Sequence, residues 1–137
     1  RIHPFAFKGL KEDLLDEFVI NVSNYPSVEE LYLASDIVIT DYSSVMFDYA
    51  ILNRPMLFFT YDLEDYRDTL RGFNFDFVAE APGPLLKTSD EVIQSIVNID
   101  KVAQEHDEAL QKFRKKFCEY EKGTASEQIF QRVMQNQ

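Results

Sequence analysis

The residues best placed to do chemistry lie in Thr40-Asp41-Tyr42-Ser43-Ser44, where an apolar run gives way to a helical pattern. In open α/β sheets, ligands bind at the carboxyl ends of strands. A helix start there offers N–H groups without intrahelical partners and a partial positive charge. Two serine hydroxyls beside such a start suit a phosphate. Capping of the helix by Ser43 explains the same residues, and the two readings are compatible, because a cap needs only one hydroxyl. Asp48 follows Ser44 by one helical turn on an otherwise apolar stretch. It either faces water or is held by partners. It can accept hydrogen bonds from ligand hydroxyls or lock the serine turn, whereas direct phosphate contact is opposed by charge. Arg1 and His3 form a second candidate pair ahead of Pro4. Proline biases His3 toward extended backbone. Arginine pairs with a pyrophosphate in bidentate fashion, and histidine can move a proton near neutral pH. A solvent-exposed histidine is the plain alternative.

Other titratable groups carry less. Asp62, Glu64 and Asp65 resemble a cation cluster, but their spacing matches no calcium loop, so no metal site is expected. His106 lies in Gln-Glu-His-Asp-Glu and is expected on the surface. Cys118, in Lys-Phe-Cys-Glu-Tyr, is expected to be a structural thiol, and as the lone cysteine it permits no intrachain disulfide. Lys112, Arg114, Lys115 and Lys116 read as a solvated helix face, with an anionic membrane surface as the alternative. The net charge of −10 argues against a general nucleic-acid binder. It leaves room for a local anion site.

The elements that must position these groups follow from apolar spacing. Phe18 to Val22 is a β-branched run that predicts a strand. Ser27 with Glu30 forms a capping-box pattern opening a helix to about Ala34. Asp36 to Thr40 and Met56 to Thr60 are continuous apolar runs, as in strands covered on both faces. Between them, Ser44 to Leu52 is helical and is stopped by Asn53-Arg54-Pro55. Strand, helix and strand with short links make one βαβ unit with a parallel sheet. Tyr61 to Pro84 reads as long loops in which Gly72 permits close backbone approach. Thr88 with Glu91 caps a helix to about Ile99, Lys101 to Tyr120 is a second helix, and Thr124 with Glu127 caps a last one to about Met134. The expectation is a single α/β domain over 1–137, a Rossmann-like doubly wound parallel sheet closed by C-terminal helices. Because the chain begins at Arg1 rather than methionine, it is expected to be a piece of a longer protein.

Arg1-Ile-His-Pro, Ser35-Asp-Ile-Val-Ile-Thr-Asp-Tyr-Ser-Ser-Val-Met-Phe-Asp48, Arg54-Pro, Tyr61-Asp-Leu-Glu-Asp-Tyr66, Arg71-Gly-Phe and Pro82-Gly-Pro occur in one order. They closely resemble the CDP-glycerol glycerophosphotransferase family, the primases and polymerases of teichoic acid synthesis in Gram-positive bacteria. The resemblance implies a GT-B type enzyme of two Rossmann-like domains, of which this chain is the C-terminal, donor-binding half. It implies that Arg1, His3, Ser43, Ser44 and Asp48 line the CDP-glycerol site, with the serines holding the pyrophosphate and His3 acting as a catalytic residue near the transferring phosphoryl group. The acceptor would be a lipid-linked teichoic acid chain met through the absent N-terminal domain, at the inner face of the cytoplasmic membrane. No cofactor is implied. The same residues would serve a CDP-ribitol phosphotransferase. On the same fold, a capsule polysaccharide glycosyltransferase or a non-catalytic nucleotide-binding module remains open.

Overall fold

The computed structural model describes residues 18–66 and 73–135. The chain divides into two compact units, residues 1–34 and 35–137. Arg1, His3, Arg71 and Gly72 lie outside the described residues.

In the first unit, the helix α1 spans Val28–Ala34. Ser27 Oγ accepts from the Glu30 N–H at 3.1 Å, which is half of the expected capping box. The Glu30 carboxylate accepts instead from the Tyr25 hydroxyl. The expected strand over 18–22 is not formed. β-propensity measures fit to a half-buried pleated surface, and this run has none, since Phe18 is 92% and Ile20 79% exposed.

Among the described residues, the second unit is built on three parallel strands, β1 (Val38–Thr40), β2 (Met56–Phe59) and β3 (Leu85–Leu86), in that order. Val38 pairs with Met56 and Thr40 with Phe58, while Phe58 and Phe59 pair with Leu85 and Leu86. The connection from β1 to β2 is the helix α2, Val45–Ala50. This is the expected βαβ unit, and the α/β class holds. Met56, Leu57 and Phe58 are buried, which accounts for an unbroken apolar run with no alternation. β1 departs from that expectation: its Ile39 is half exposed. The expected loop region from Tyr61 to Pro84 holds two short helices, α3 (Leu63–Asp65) and α4 (Phe77–Glu80), before β3. Asp76 caps α4 by accepting from the Ala79 N–H at 3.1 Å.

Three helices follow: α5 (Ser89–Val97), α6 (Ile99–Phe117) and α7 (Ala125–Gln135). The Thr88–Glu91 capping box of α5 is complete. Its two backbone N–H bonds to the Glu91 carboxylate, from Lys87 and Thr88, hold that carboxyl below its ordinary pKa. The helix α6 packs on α2 through rings. Phe47 stacks on Phe113 at 5.3 Å and meets Phe117 edge-on at 5.1 Å. Phe75, Phe77 and Phe58 extend the same aromatic row into the sheet. Lys112, Lys115 and Lys116 of α6 are exposed as expected, Lys112 pairing with Glu108 at 2.7 Å and Lys116 with Glu80, whereas Arg114 departs from the expected solvated face: it is half-buried and bonded to Asn53. No helix among the described residues is long and apolar enough to cross a membrane.

Asn53 terminates α2 in the left-handed region, with φ of 56°. Asparagine adopts this region far more readily than a residue branched at Cβ. Its Oδ1 accepts from Gln111 Nε2 at 2.8 Å and Arg114 Nη1 at 2.9 Å, tying the helix end to α6. Asn53→Ala removes both bonds and leaves the strain, a loss of about 1–2 kcal/mol. Asn53→Gly removes the bonds but not the fit of the backbone. In urea titration, the glycine variant is expected to unfold at a higher midpoint than the alanine variant.

Candidate functional site

The turn from Asp41 to Ser44 sits at the carboxyl end of β1, where the parallel register puts the ends of β1 and β2 side by side. Its far end is fixed by α2, whose Met46, Tyr49 and Ala50 are buried. The strand entering it is fixed from below: the Ser35 carbonyl accepts from both the Tyr49 hydroxyl at 2.8 Å and Arg54 Nη1 at 2.7 Å. The Arg54-Pro55 pair, noted in the sequence as a helix stop, thus also anchors the start of β1. The Ser35 bond is consistent with a Tyr49 hydroxyl kept protonated, which burial above all favours by raising its pKa.

Ser43 and Ser44 differ in what they do. Ser44 is the N-cap residue of α2, but its backbone is already helical and its hydroxyl makes no cap hydrogen bond. Ser43 Oγ accepts from the Val45 N–H at 3.4 Å, a long and weak bond. The Ser43 and Ser44 carbonyls accept from Met46 and Phe47. Capping therefore explains Ser43 only in part and Ser44 not at all. Ser44 is exposed, and its hydroxyl can serve a ligand. With six residues, α2 sums few peptide dipoles. The hydroxyls must carry more of any anion's binding than a long helix would require.

Asp48 is exposed on the same side of α2, four residues past Ser44. An exposed carboxylate in this place accepts from hydroxyls. Ser43, Ser44 and Asp48 are thus gathered on one turn and the helix it opens. Arg1 and His3, expected to join them, fall outside the described residues.

Two residues of the site were missed in the sequence. The Tyr42 hydroxyl donates to Asp62 Oδ1 at 2.9 Å. The Tyr42 ring stacks on Tyr66 at 4.1 Å and 24° and meets the edge of Phe77 at 5.8 Å. Burial first, and then the Asp62 bond and charge, push the Tyr42 hydroxyl well above its usual pKa, so it remains a donor. Both residues stand in quoted motifs, but twenty positions separate them and no local spacing pairs them. This bond also explains Asp62 without a cation, and Glu64 pairs with Lys87 at 2.7 Å.

Cys118 meets α2 at Phe47, next to Asp48, and His106 lies on α6. Cys118 is part-buried with Sγ 3.5 Å from the Phe47 carbonyl oxygen, and burial pushes its thiol up, opposite to an activated nucleophile. His106 is half-buried rather than on the surface as expected, with Nδ1 3.1 Å from the Val102 carbonyl. It lines a small cavity with Met56, Pro84 and Leu110.

Known proteins similar to this chain fall in one family. The family model for CDP-glycerol:poly(glycerophosphate) glycerophosphotransferase matches residues 1–135. A teichoic acid glycerol-phosphate transferase of Staphylococcus aureus is 46% identical over 97% of this chain and 34% of its own length. A teichoic acid poly(glycerol phosphate) polymerase of Bacillus subtilis is 45% identical over 97% of this chain and 18% of its own length. Among solved structures, that of the wall teichoic acid polymerase TagF superposes with a TM-score of 0.87 at 40% identity, covering 99% of this chain and 33% of that one. The chain thus spans about a third or less of the length of these relatives. Sequence motifs, parallel α/β fold and near-complete match agree: the chain belongs to the CDP-glycerol:poly(glycerophosphate) glycerophosphotransferase family.

Proposed function

We propose that this chain is the donor-binding part of a longer transferase that moves glycerol phosphate from CDP-glycerol to a growing poly(glycerol phosphate) teichoic acid chain. Both compact units belong to that donor-binding part. The observation that carries the reading is the match to glycerol-phosphate transferases and polymerases at 45–46% identity along nearly the whole chain. On the chain itself, the exposed Ser44 hydroxyl, left unused by capping, supports it. A variant of the polymerase TagF soaked with CDPG also superposes on this chain, with a TM-score of 0.87.

In this reading, Ser43 and Ser44 hold the donor's pyrophosphate, Asp48 accepts from donor hydroxyls, and Arg1 pairs with the phosphates. An acceptor hydroxyl attacks the glycerol-bearing phosphorus, the bond from that phosphorus to the bridging oxygen breaks, and CMP leaves with that oxygen. The proton of the attacking hydroxyl passes to a general base supplied by the rest of the parent enzyme. The resemblance implies that His3 would act at the transferring phosphoryl group, favouring departure of CMP. The step depends mainly on positioning and on neutralising phosphate charge. The acceptor is lipid-linked, so the parent enzyme works at the inner face of the cytoplasmic membrane as a peripheral protein.

CDP-ribitol is the nearest competing donor. Relatives named for ribitol phosphate are 30–38% identical, below the glycerol-phosphate group at 43–46%. That ordering favours glycerol. Calorimetry on the full-length protein is expected to rank CDP-glycerol ahead of CDP-ribitol, with UDP-sugars far behind. Tighter binding of a UDP-sugar would overturn the assignment of CDP-glycerol as donor.

A further inference from the structure

The serine turn has few bonds of its own. The Ser43 side chain contributes one long contact to Val45, and the Ser44 side chain contributes none to the cap. What fixes the entry to the turn is Tyr42, the residue immediately before the two serines. Its ring is held by Tyr66 on one face, with Phe73 at 5.5 Å and the edge of Phe77 at 5.8 Å. Its hydroxyl reaches across to Asp62, the N-cap residue of α3, just beyond the end of β2. The Asp62 segment is itself fixed, because the Thr60 N–H donates to the Leu86 carbonyl at 2.7 Å and the Leu63 N–H to the Thr60 carbonyl at 3.3 Å. The Tyr42–Asp62 bond therefore ties the turn after β1 to the segment after β2, at the rim where ligands of parallel sheets bind.

We propose that Tyr42 and Asp62 are positioning residues that hold the Ser43–Ser44 turn in register for the donor phosphates. Neither touches the donor. The bond sets where the two hydroxyls point, and phosphoryl transfer is sensitive to displacements of about an ångström, which can lower rates on the order of a hundredfold. Using the carboxylate of Asp62 as the acceptor for a tyrosine also keeps that charge engaged within the protein. The inference rests on the reading of Ser43 and Ser44 as donor-phosphate contacts.

The test uses the full-length protein, with CDP-glycerol as the probe, in calorimetry and steady-state kinetics beside thermal melts. Tyr42→Phe keeps the ring stack and removes only the hydroxyl; Asp62→Ala removes the acceptor; Asp62→Asn keeps an acceptor oxygen. Tyr42→Phe and Asp62→Ala are each expected to lower kcat/KM by about tenfold while the melting midpoint moves little, since one hydrogen bond is lost and the packing stays. Asp62→Asn is expected to recover most of the loss seen in Asp62→Ala, and the Tyr42→Phe/Asp62→Ala double variant to be little worse than either single one. If Tyr42→Phe fails to fold, the comparison of Asp62→Asn with Asp62→Ala decides. Folded variants with wild-type kcat/KM would overturn the positioning role, as would losses in activity that merely follow the folded fraction. Failure of the underlying reading looks different: the unmodified protein would not bind CDP-glycerol, or Ser43→Ala and Ser44→Ala would leave both its binding and its turnover unchanged, and the positioning role would fall with it.

Discussion

Gly83→Ala is expected to destabilise the protein by about 3 kcal/mol or more, from overpacking of a rigid site together with a lost sheet bond. Gly83 is buried between Pro82 and Pro84, beside the start of β2. A Cβ built there would lie 2.0 Å from the Met56 carbonyl oxygen and 3.0 Å from its carbon. These are backbone atoms of a buried central strand, so no rotamer change relieves the clash. The segment has little freedom to withdraw, because both flanking prolines have fixed φ. Retreat would also pull the Pro84 carbonyl away from the Phe58 N–H, now 3.1 Å apart, and loosen the pairing of β2 with β3. Gly123→Ala supplies the control. Gly123 has φ of 71° but nothing within 4 Å of an added Cβ, so only backbone strain is introduced, about 1 kcal/mol. Scanning calorimetry should show a markedly lower midpoint for Gly83→Ala and a small shift for Gly123→Ala; the reverse order would refute the close-approach explanation.

Gly83 also shows where reading the sequence succeeds and where it stops. Pro82-Gly-Pro was visible as a motif, but its physical reason lies at Met56, 27 positions earlier and in another element. Local signals were readable. The Thr88–Glu91 box, the apolar run of β2 and the helix ended by Asn53-Arg54-Pro55 each depend on residues within a few positions of one another. β3 has two residues, too few for any period to register. Phe18 to Val22 misled for the opposite reason, since its composition suits a strand while its surroundings do not bury it. In the candidate site, the grouping of Ser43, Ser44 and Asp48 was readable because one turn and one helix carry all three. Tyr42 and Asp62 were not, because their bond is made by the parallel alignment of β1 and β2 and not by spacing along the chain.

Removing both hydroxyls of the turn, as Ser43→Ala/Ser44→Ala, is expected to lower kcat/KM for CDP-glycerol in the full-length enzyme by about 10²- to 10⁴-fold. A hydrogen bond to a charged group contributes about 1.5–3 kcal/mol, roughly a factor of 10 to 100 for each serine. Folding should be little affected. Ser44 is exposed and its hydroxyl makes no cap bond, and the Ser43 hydroxyl gives up only a 3.4 Å contact. The two serines need not contribute equally. Ser44→Ala removes a group with no cap bond to exchange, so its effect should appear wholly in donor handling. Ser43→Ala additionally leaves the Val45 N–H without its acceptor, adding a small stability term. How the loss divides identifies the stage at which the hydroxyls act. A rise in KM with kcat unchanged means that they hold the pyrophosphate equally in ground and transition states, whereas a fall in kcat means that they meet charge developing on the bridging oxygen as CMP departs. With a phosphate bound on this turn, the second outcome is expected to dominate for the hydroxyl nearer the bridging oxygen. A double variant that melts normally and turns over CDP-glycerol at the wild-type rate would remove the turn from the donor site.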